Sequence, residues 1–220
     1  RQEGIEKLQD RADIILLDDA FQHRRVQAST NILLTPFDDL YVNDLVVPAG
    51  NLREFSSGAK RADIIVVTKC PERVSYAELQ KIQQKIKLQV HQKIYFSKMG
   101  YDEFIYDSSE KLPLNYLRDK KFTLVTGIAK PRPLVDFLER QQFAFNHKKY
   151  PDHHDFSMSE VAKLKKSEII LTTEKDYMRL QSKLGIFSIY YLPIKTIILR
   201  EQEAVFRKSI LDSVDEKRSS

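Results

Sequence analysis

Ile14-Ile15-Leu16-Leu17-Asp18-Asp19-Ala20-Phe21-Gln22-His23 is the stretch on which the reading of this chain turns. Four aliphatic residues run into two adjacent carboxylates, and an amide and an imidazole follow close behind. A buried strand that delivers acids at its C-terminal end is how nucleotide-hydrolysing α/β folds hold a magnesium ion. Such an ion takes oxygen ligands and only one or two carboxylates from protein, leaving water and phosphate oxygens for the rest. One Asp of the pair can hold it, while strand alternation points the neighbour elsewhere. The alternative is a polar strand end that caps a turn. Gln22 and His23 favour a site, because a turn carrying both beside a carboxylate can orient a nucleophile or contact a phosphate.

Outward from this stretch, short runs rich in Ile, Leu and Val recur. Strands are predicted at Asp13–Leu17, Asn31–Thr35, Asp63–Thr68, Lys93–Ser97, Lys121–Thr126, Glu168–Thr172 and Phe187–Leu192. Several are apolar on both faces, as buried parallel strands are. Helices are predicted between and after them, over Ser75–Gln89, Pro133–Gln142, Ser157–Lys166 and Arg200–Val214. The first and third open on capping boxes, Ser75 with Glu78 and Ser157 with Glu160. Alternating strands and helices argue for α/β architecture with a mainly parallel sheet flanked by helices.

The chain has 220 residues, 42% of them hydrophobic and 30% charged, enough for a core and a solvated surface. Its formal net charge of +5 favours anionic partners such as phosphates or an acidic membrane surface. Its single cysteine, Cys70, excludes an internal disulfide framework. No apolar run approaches the ~20 residues that span a bilayer. Aromatic residues are not interleaved with Arg and Lys as on a nucleic-acid surface, so no nucleic-acid partner is expected. The glycines, at 4, 50, 58, 100, 127 and 185, open no phosphate-cradling G-x-x-x-x-G-K-[ST] loop.

Four further segments could carry chemistry. Val47-Pro48-Ala49-Gly50-Asn51-Leu52-Arg53-Glu54 reads as a tight loop with a helix opening at Leu52, its Arg-Glu pair able to meet phosphate and metal-bound water. Tyr150-Pro151-Asp152-His153-His154-Asp155-Phe156 is the densest titratable cluster; it reads as a poised proton acceptor, a metal site or a polar loop before a helix. Leu171-Thr172-Thr173-Glu174-Lys175-Asp176 lies where a strand yields to a helix, with Lys175 able to reach phosphate and a threonine able to cap. In Val125-Thr126-Gly127-Ile128-Ala129-Lys130-Pro131, Gly127 permits a close backbone approach.

Taken in order, these segments resemble the tetraacyldisaccharide 4′-kinase family. Asp18-Asp19-Ala20-Phe21-Gln22-His23 resembles its DDG[FL]QH, with Ala20 in place of Gly. Pro48-Ala49-Gly50-Asn51-Leu52-Arg53-Glu54 resembles its LPAGPLREP, with Asn51 and Phe55 in place of Pro. Gly127-Ile128-Ala129-Lys130-Pro131, Asp152-His153-His154 and Thr173-Glu174-Lys175-Asp176 resemble its GI(A/G)xP, DHH and TEKD.

The resemblance implies a P-loop NTPase-like core with a second, smaller βα-rich lobe. The polar, interrupted stretch read from the sequence as a connecting segment at 102–116 separates a core at 1–101 from a lobe at 117–214, with a disordered tail at 215–220. The resemblance also implies ATP and Mg²⁺ as cofactors, with the γ-phosphoryl group passing to the 4′-hydroxyl of tetraacyldisaccharide 1-phosphate. Asp18 would be the Walker-B acid at the metal, with Asp19 beside it. Gln22 and His23 would line the phosphate site, and Arg53, Glu54 and Lys175 would face the nucleotide. His153 would support the base, pairing with an Asp upstream of Arg1. The family's Walker A loop and membrane-associating helix are expected upstream too. The chain therefore reads as an inactive fragment of an enzyme that works at the cytoplasmic face of the inner membrane. Two alternatives are a DHH-type metal phosphoesterase, with Asp152, His153 and His154 as ligands, and a non-catalytic nucleotide-binding regulator, suggested by Val67-Thr68-Lys69-Cys70-Pro71.

Overall fold

Helices and strands alternate along most of the chain in the computed structural model, which describes residues 2–8, 10–185 and 187–215. The order begins α1 (Gln2–Leu8), β1 (Ile32–Pro36), β2 (Ile64–Thr68), α2 (Tyr76–Ile86) and β3 (Lys93–Tyr101). It continues β4 (Phe104–Tyr106), β5 (Lys111–Pro113), β6 (Phe122–Thr126), α3 (Arg132–Arg140), β7 (Phe145–Lys149) and α4 (Met158–Leu164). It ends β8 (Ile169–Thr172), α5 (Glu174–Leu184), β9 (Ile189–Tyr191), β10 (Ile194–Ile198) and α6 (Glu203–Asp215). The chain divides into two units, residues 1–99 with 196–220, and residues 100–195.

The first unit is built on a four-stranded sheet of order β1-β2-β3-β10, with β1, β2 and β3 parallel. Strand β2 shows why a run without polar residues belongs at its centre. Ile65 and Val67 pack against Leu79, Ile82 and Ile86 of α2. Ile64 and Val66 pack with Tyr95, Ile198 and, on α6, Phe206 and Ile210. Alternation sends each set to a different face, and each face has its own helix. Helix α2 starts where its capping box requires, Ser75 Oγ accepting from the Glu78 amide while the Glu78 carboxylate accepts from the Ser75 amide.

The second unit holds a six-stranded sheet of order β5-β4-β9-β8-β6-β7. Its β7-β6-β8-β9 portion is parallel, and β4 joins antiparallel to both β5 and β9. Leu124 and Leu171 face a core with Leu134 and Leu138 of α3. Val125 and Ile170 face the opposite core, with Leu164 of α4 and Tyr177 and Leu180 of α5. This is again a sheet covered on both sides.

Three expectations need correction. Asp13–Leu17 forms no strand: it is irregular and pairs with no strand of the described chain, and Leu16 is 90% exposed. An apolar run becomes a buried strand only where neighbours satisfy its backbone groups and cover its side chains. The segment read as a polar connection at 102–116 contributes the β4–β5 hairpin to the second sheet. Asp107 supports the turn by accepting from the amides of Ser109 and Glu110. The C-terminal elements, read as part of the second lobe, belong with the first unit, because Ile198, Phe206 and Ile210 cover the face of β2 and β3 that α2 leaves open. Of the tail expected at 215–220, Asp215 closes α6 and the remainder lies outside the described residues.

Candidate functional site

In the first unit the acidic motif folds as a turn. Asp19 adopts a left-handed conformation (φ 47°), which an Asp tolerates better than most residues. The His23 amide donates to the Ala20 carbonyl at 2.8 Å, and Gln22 Nε2 reaches the Asp19 carbonyl at 3.4 Å. The loop downstream is shaped by Asp44, whose Oδ1 accepts from the amides of Leu45 (2.7 Å) and Asn51 (3.2 Å). Gly50 is required there, since a Cβ would sit 2.3 Å from both Asp44 Oδ1 and the Leu45 carbonyl oxygen. The helix expected to open at Leu52 is absent. Leu52 bridges to Val46, and a 3₁₀ segment follows at Ser56–Arg61.

This loop and the acidic turn are joined by charge. Arg53 Nη1 donates to Asp19 Oδ2 at 2.8 Å. Glu54 accepts from Arg61 Nη2 at 2.6 Å and from Arg24 Nη2 at 2.9 Å. Arg61 also donates to the Phe21 carbonyl at 3.0 Å and lies over the Phe21 ring. The hydrogen bond from Arg61 holds the Glu54 carboxyl below its ordinary range; partial burial opposes this and Arg24 adds to it. Arg53 pairs with Asp19, and its neighbour Glu54 pairs with Arg24 and Arg61, so adjacent residues of the loop are each held by charge. Asp18 and His23 are exposed, and neither side chain bonds to any described residue. No cluster of three or more metal-ligating side chains occurs among the described residues. A lone unpaired carboxylate fits an ion that keeps water and phosphate ligands, and does not fit a protein-built metal cage.

The second unit carries the other two motifs. Helix α5 opens on Thr173, which accepts from the Asp176 amide. Asp176 is fully buried, and its Oδ2 accepts from the Gly127 amide and from Thr173 Oγ1, both at 2.8 Å. A Cβ on Gly127 would lie 2.9 Å from Asp176 Oδ1, so the close approach expected of this glycine is real. The carbonyl of Gly127 in turn accepts from the His153 amide at 3.2 Å, holding His153 in a left-handed conformation (φ 60°).

The two adjacent histidines separate cleanly. His154 bonds both oxygens of Glu160 at 3.1 Å, stacks on Tyr150 and meets Phe156 edge-on, so it is committed to holding the loop on α4. The His153 ring is largely exposed. Lys175 Nζ approaches its Nε2 at 3.1 Å and Arg179 Nη2 its Nδ1 at 3.0 Å, while Lys175 also donates to Asp152 Oδ1 at 3.0 Å. The Lys175 hydrogen bond keeps the Asp152 carboxyl below its ordinary range. With cations beside Asp152 and His153, and His154 bound to Glu160, this cluster is built against a divalent metal and for an anion. The phosphoesterase reading loses its ligands.

The segment that suggested a nucleotide-binding regulator is structural at its cysteine. Cys70 is buried, and burial pushes its thiol up to about 11. Three participants escaped sequence reasoning. Arg24 and Arg61 reach Glu54 only through the fold and leave no local signal. Arg179 follows Asp176 at helical i,i+3 spacing, which could have marked it.

Residues 1–215 match the family model described as Tetraacyldisaccharide-1-P 4'-kinase. Among curated proteins, the tetraacyldisaccharide 4'-kinase of Flavobacterium johnsoniae is 42% identical over 206 residues, covering 92% of this chain and 60% of its own length. That of Flavobacterium psychrophilum is 41% identical, covering 98% of this chain and 64% of its own length. The crystal structure of LpxK from Aquifex aeolicus in complex with ATP superposes with a TM-score of 0.68 at 23% identity, over 97% of this chain and 62% of that one. That likeness shows the fold, an α/β arrangement of mainly parallel sheets flanked by helices. The chain spans between 60% and 64% of the length of these relatives.

Proposed function

The chain belongs to the tetraacyldisaccharide-1-P 4'-kinase family, and from that membership we propose that the complete protein transfers the γ-phosphoryl group of ATP to the 4′-hydroxyl of a tetraacyldisaccharide 1-phosphate. The observation that carries the proposal is the Asp19–Arg53 contact. It sets the acidic turn beside the Arg53-Glu54 loop and leaves the Asp18 carboxylate free.

In the transfer, a P–O bond forms to the sugar oxygen as the bond to ADP breaks, and the hydroxyl proton passes to a base. Such a reaction needs chiefly positioning and neutralised charge. Asp18 would hold Mg²⁺, which when bound would draw charge from the β- and γ-phosphates. Asp19 holds Arg53 at the same turn, ready to meet phosphate oxygens. Glu54, fixed by Arg24 and Arg61, keeps that loop in place and offers acceptor oxygens toward metal-bound water. Gln22 and His23 supply donors beside the phosphates. In the second unit, Lys175 would bind phosphate and His153 would support the base that takes the hydroxyl proton.

The acylated substrate places the reaction at a membrane surface, and we propose the cytoplasmic face of the inner membrane. No described helix is long and apolar enough to cross a bilayer. The excess of Lys and Arg, 36 against 31 Asp and Glu, suits an anionic lipid surface. The test is transfer of label from γ-labelled ATP to a synthetic tetraacyldisaccharide 1-phosphate by the complete protein in mixed micelles. Mg²⁺-dependent labelling of the lipid supports the proposal, and ATP turnover without lipid labelling overturns it.

A further inference from the structure

We propose that Arg179, anchored on the buried Asp176, is a positioning residue for His153, fixing which ring nitrogen that imidazole offers. The inference rests on the proposed role of His153 and extends it to a side chain outside every motif of the sequence.

Asp176 is buried and immobilised at one oxygen by Gly127 and Thr173. Its other oxygen, Oδ1, has no hydrogen bond, and neither does the buried Nη1 of Arg179. These two unmatched atoms face each other 3.8 Å apart as an ion pair one turn along α5. The pair leaves the second terminal nitrogen, Nη2, to reach His153 Nδ1 at 3.0 Å. A guanidinium has donors only, in a fixed planar fork, so tethering one arm aims the other.

A neutral imidazole offers one lone pair, and two cations approach this ring. Lys175 has a second acceptor in Asp152 at 3.0 Å. Arg179 Nη2 has no other acceptor among the described residues. Nδ1 therefore accepts from Arg179, and the ring's own proton sits on Nε2, where it can donate to a carboxylate base; Lys175, 3.1 Å from Nε2, then gives its proton to Asp152 and none to the ring. The same buried Asp176 also holds the Gly127 amide, and the Gly127 carbonyl holds the His153 backbone. Ring and backbone of His153 are thus indexed to one fixed carboxylate.

The experiment is a double-mutant cycle in the complete protein, comparing wild type, Arg179→Met, His153→Ala and the pair. Arg179→Met is expected to lower kcat about 10- to 100-fold, with the KM for ATP within about twofold. In the His153→Ala background the same change is expected to alter kcat by less than about twofold. Wild-type kcat in Arg179→Met, or an undiminished loss in the His153→Ala background, overturns the proposal. Wild-type kcat in His153→Ala instead overturns the underlying role of His153. If Arg179→Met does not fold, Arg179→Lys replaces it; it keeps the charge but cannot span both partners, and the same loss is expected. Ring ¹⁵N shifts of His153 give an independent readout. A protonated Nε2 is expected in wild type and a tautomer mixture in the variant, and an unchanged spectrum overturns the proposal.

Discussion

Arg53 reaches back across 34 residues to Asp19, its Nη1 donating to Oδ2 at 2.8 Å. Both side chains are more than half exposed, at 64% and 61%. An exposed pair of this kind contributes about 0.2–1 kcal/mol to stability, too little to justify itself as a structural device. Its consequence is to give the two adjacent aspartates different duties, with Asp19 holding the loop and Asp18 left free.

Arg53→Ala in the complete protein is therefore expected to lower kinase activity by about 10²-fold while the urea midpoint of unfolding stays near that of wild type. Parallel kinetics and urea titrations check this. A variant that unfolds early yet keeps its activity would make the pair structural.

Gly127→Ala is expected to destabilise the protein by about 1–3 kcal/mol. The added methyl would lie 2.9 Å from Asp176 Oδ1 and 3.4 Å from the Pro151 carbonyl oxygen. Asp176 is buried and hydrogen-bonded, so it cannot step aside. Urea unfolding monitored by circular dichroism measures the loss.

Glu160 gives the acid limb a definite window. Its carboxyl is lowered to about 2 by the Ser157 amide and hydroxyl and then by His154. A carboxyl depressed in the folded state stabilises it above the unfolded value, near 4.5, and that contribution fades as pH falls toward about 2. The difference in urea midpoint between wild type and Glu160→Gln is expected to be largest at pH 6 and to shrink between pH 4.5 and about 2. A difference that does not vary with pH would contradict the assignment.

Much of this architecture was legible because local signals and tertiary demands agree. Both capping boxes mark helix starts where they occur, at Ser75 and Ser157. The central strands β2, β6 and β8 were visible as apolar runs because helices cover both of their faces. Strand β7, Phe-Asn-His-Lys-Lys, was not visible, because an edge strand needs few apolar residues. The run at Ile14–Leu17 misled for the converse reason: composition cannot tell whether partners lie alongside. Within the candidate site, contiguous motifs were readable, whereas Arg24, Arg61 and Arg179 arrive from elsewhere. That Glu160 engages His154 and not His153 was not readable from the sequence.

The account's central claim is that Asp18, the free carboxylate of the pair, carries the metal in phosphoryl transfer. The most direct measurement is kcat for Asp18→Ala in the complete protein at saturating ATP and Mg²⁺, with folding confirmed by circular dichroism. A folded variant with kcat lowered by about 10²-fold or more is the predicted result. A folded variant turning over at close to the wild-type rate would contradict it.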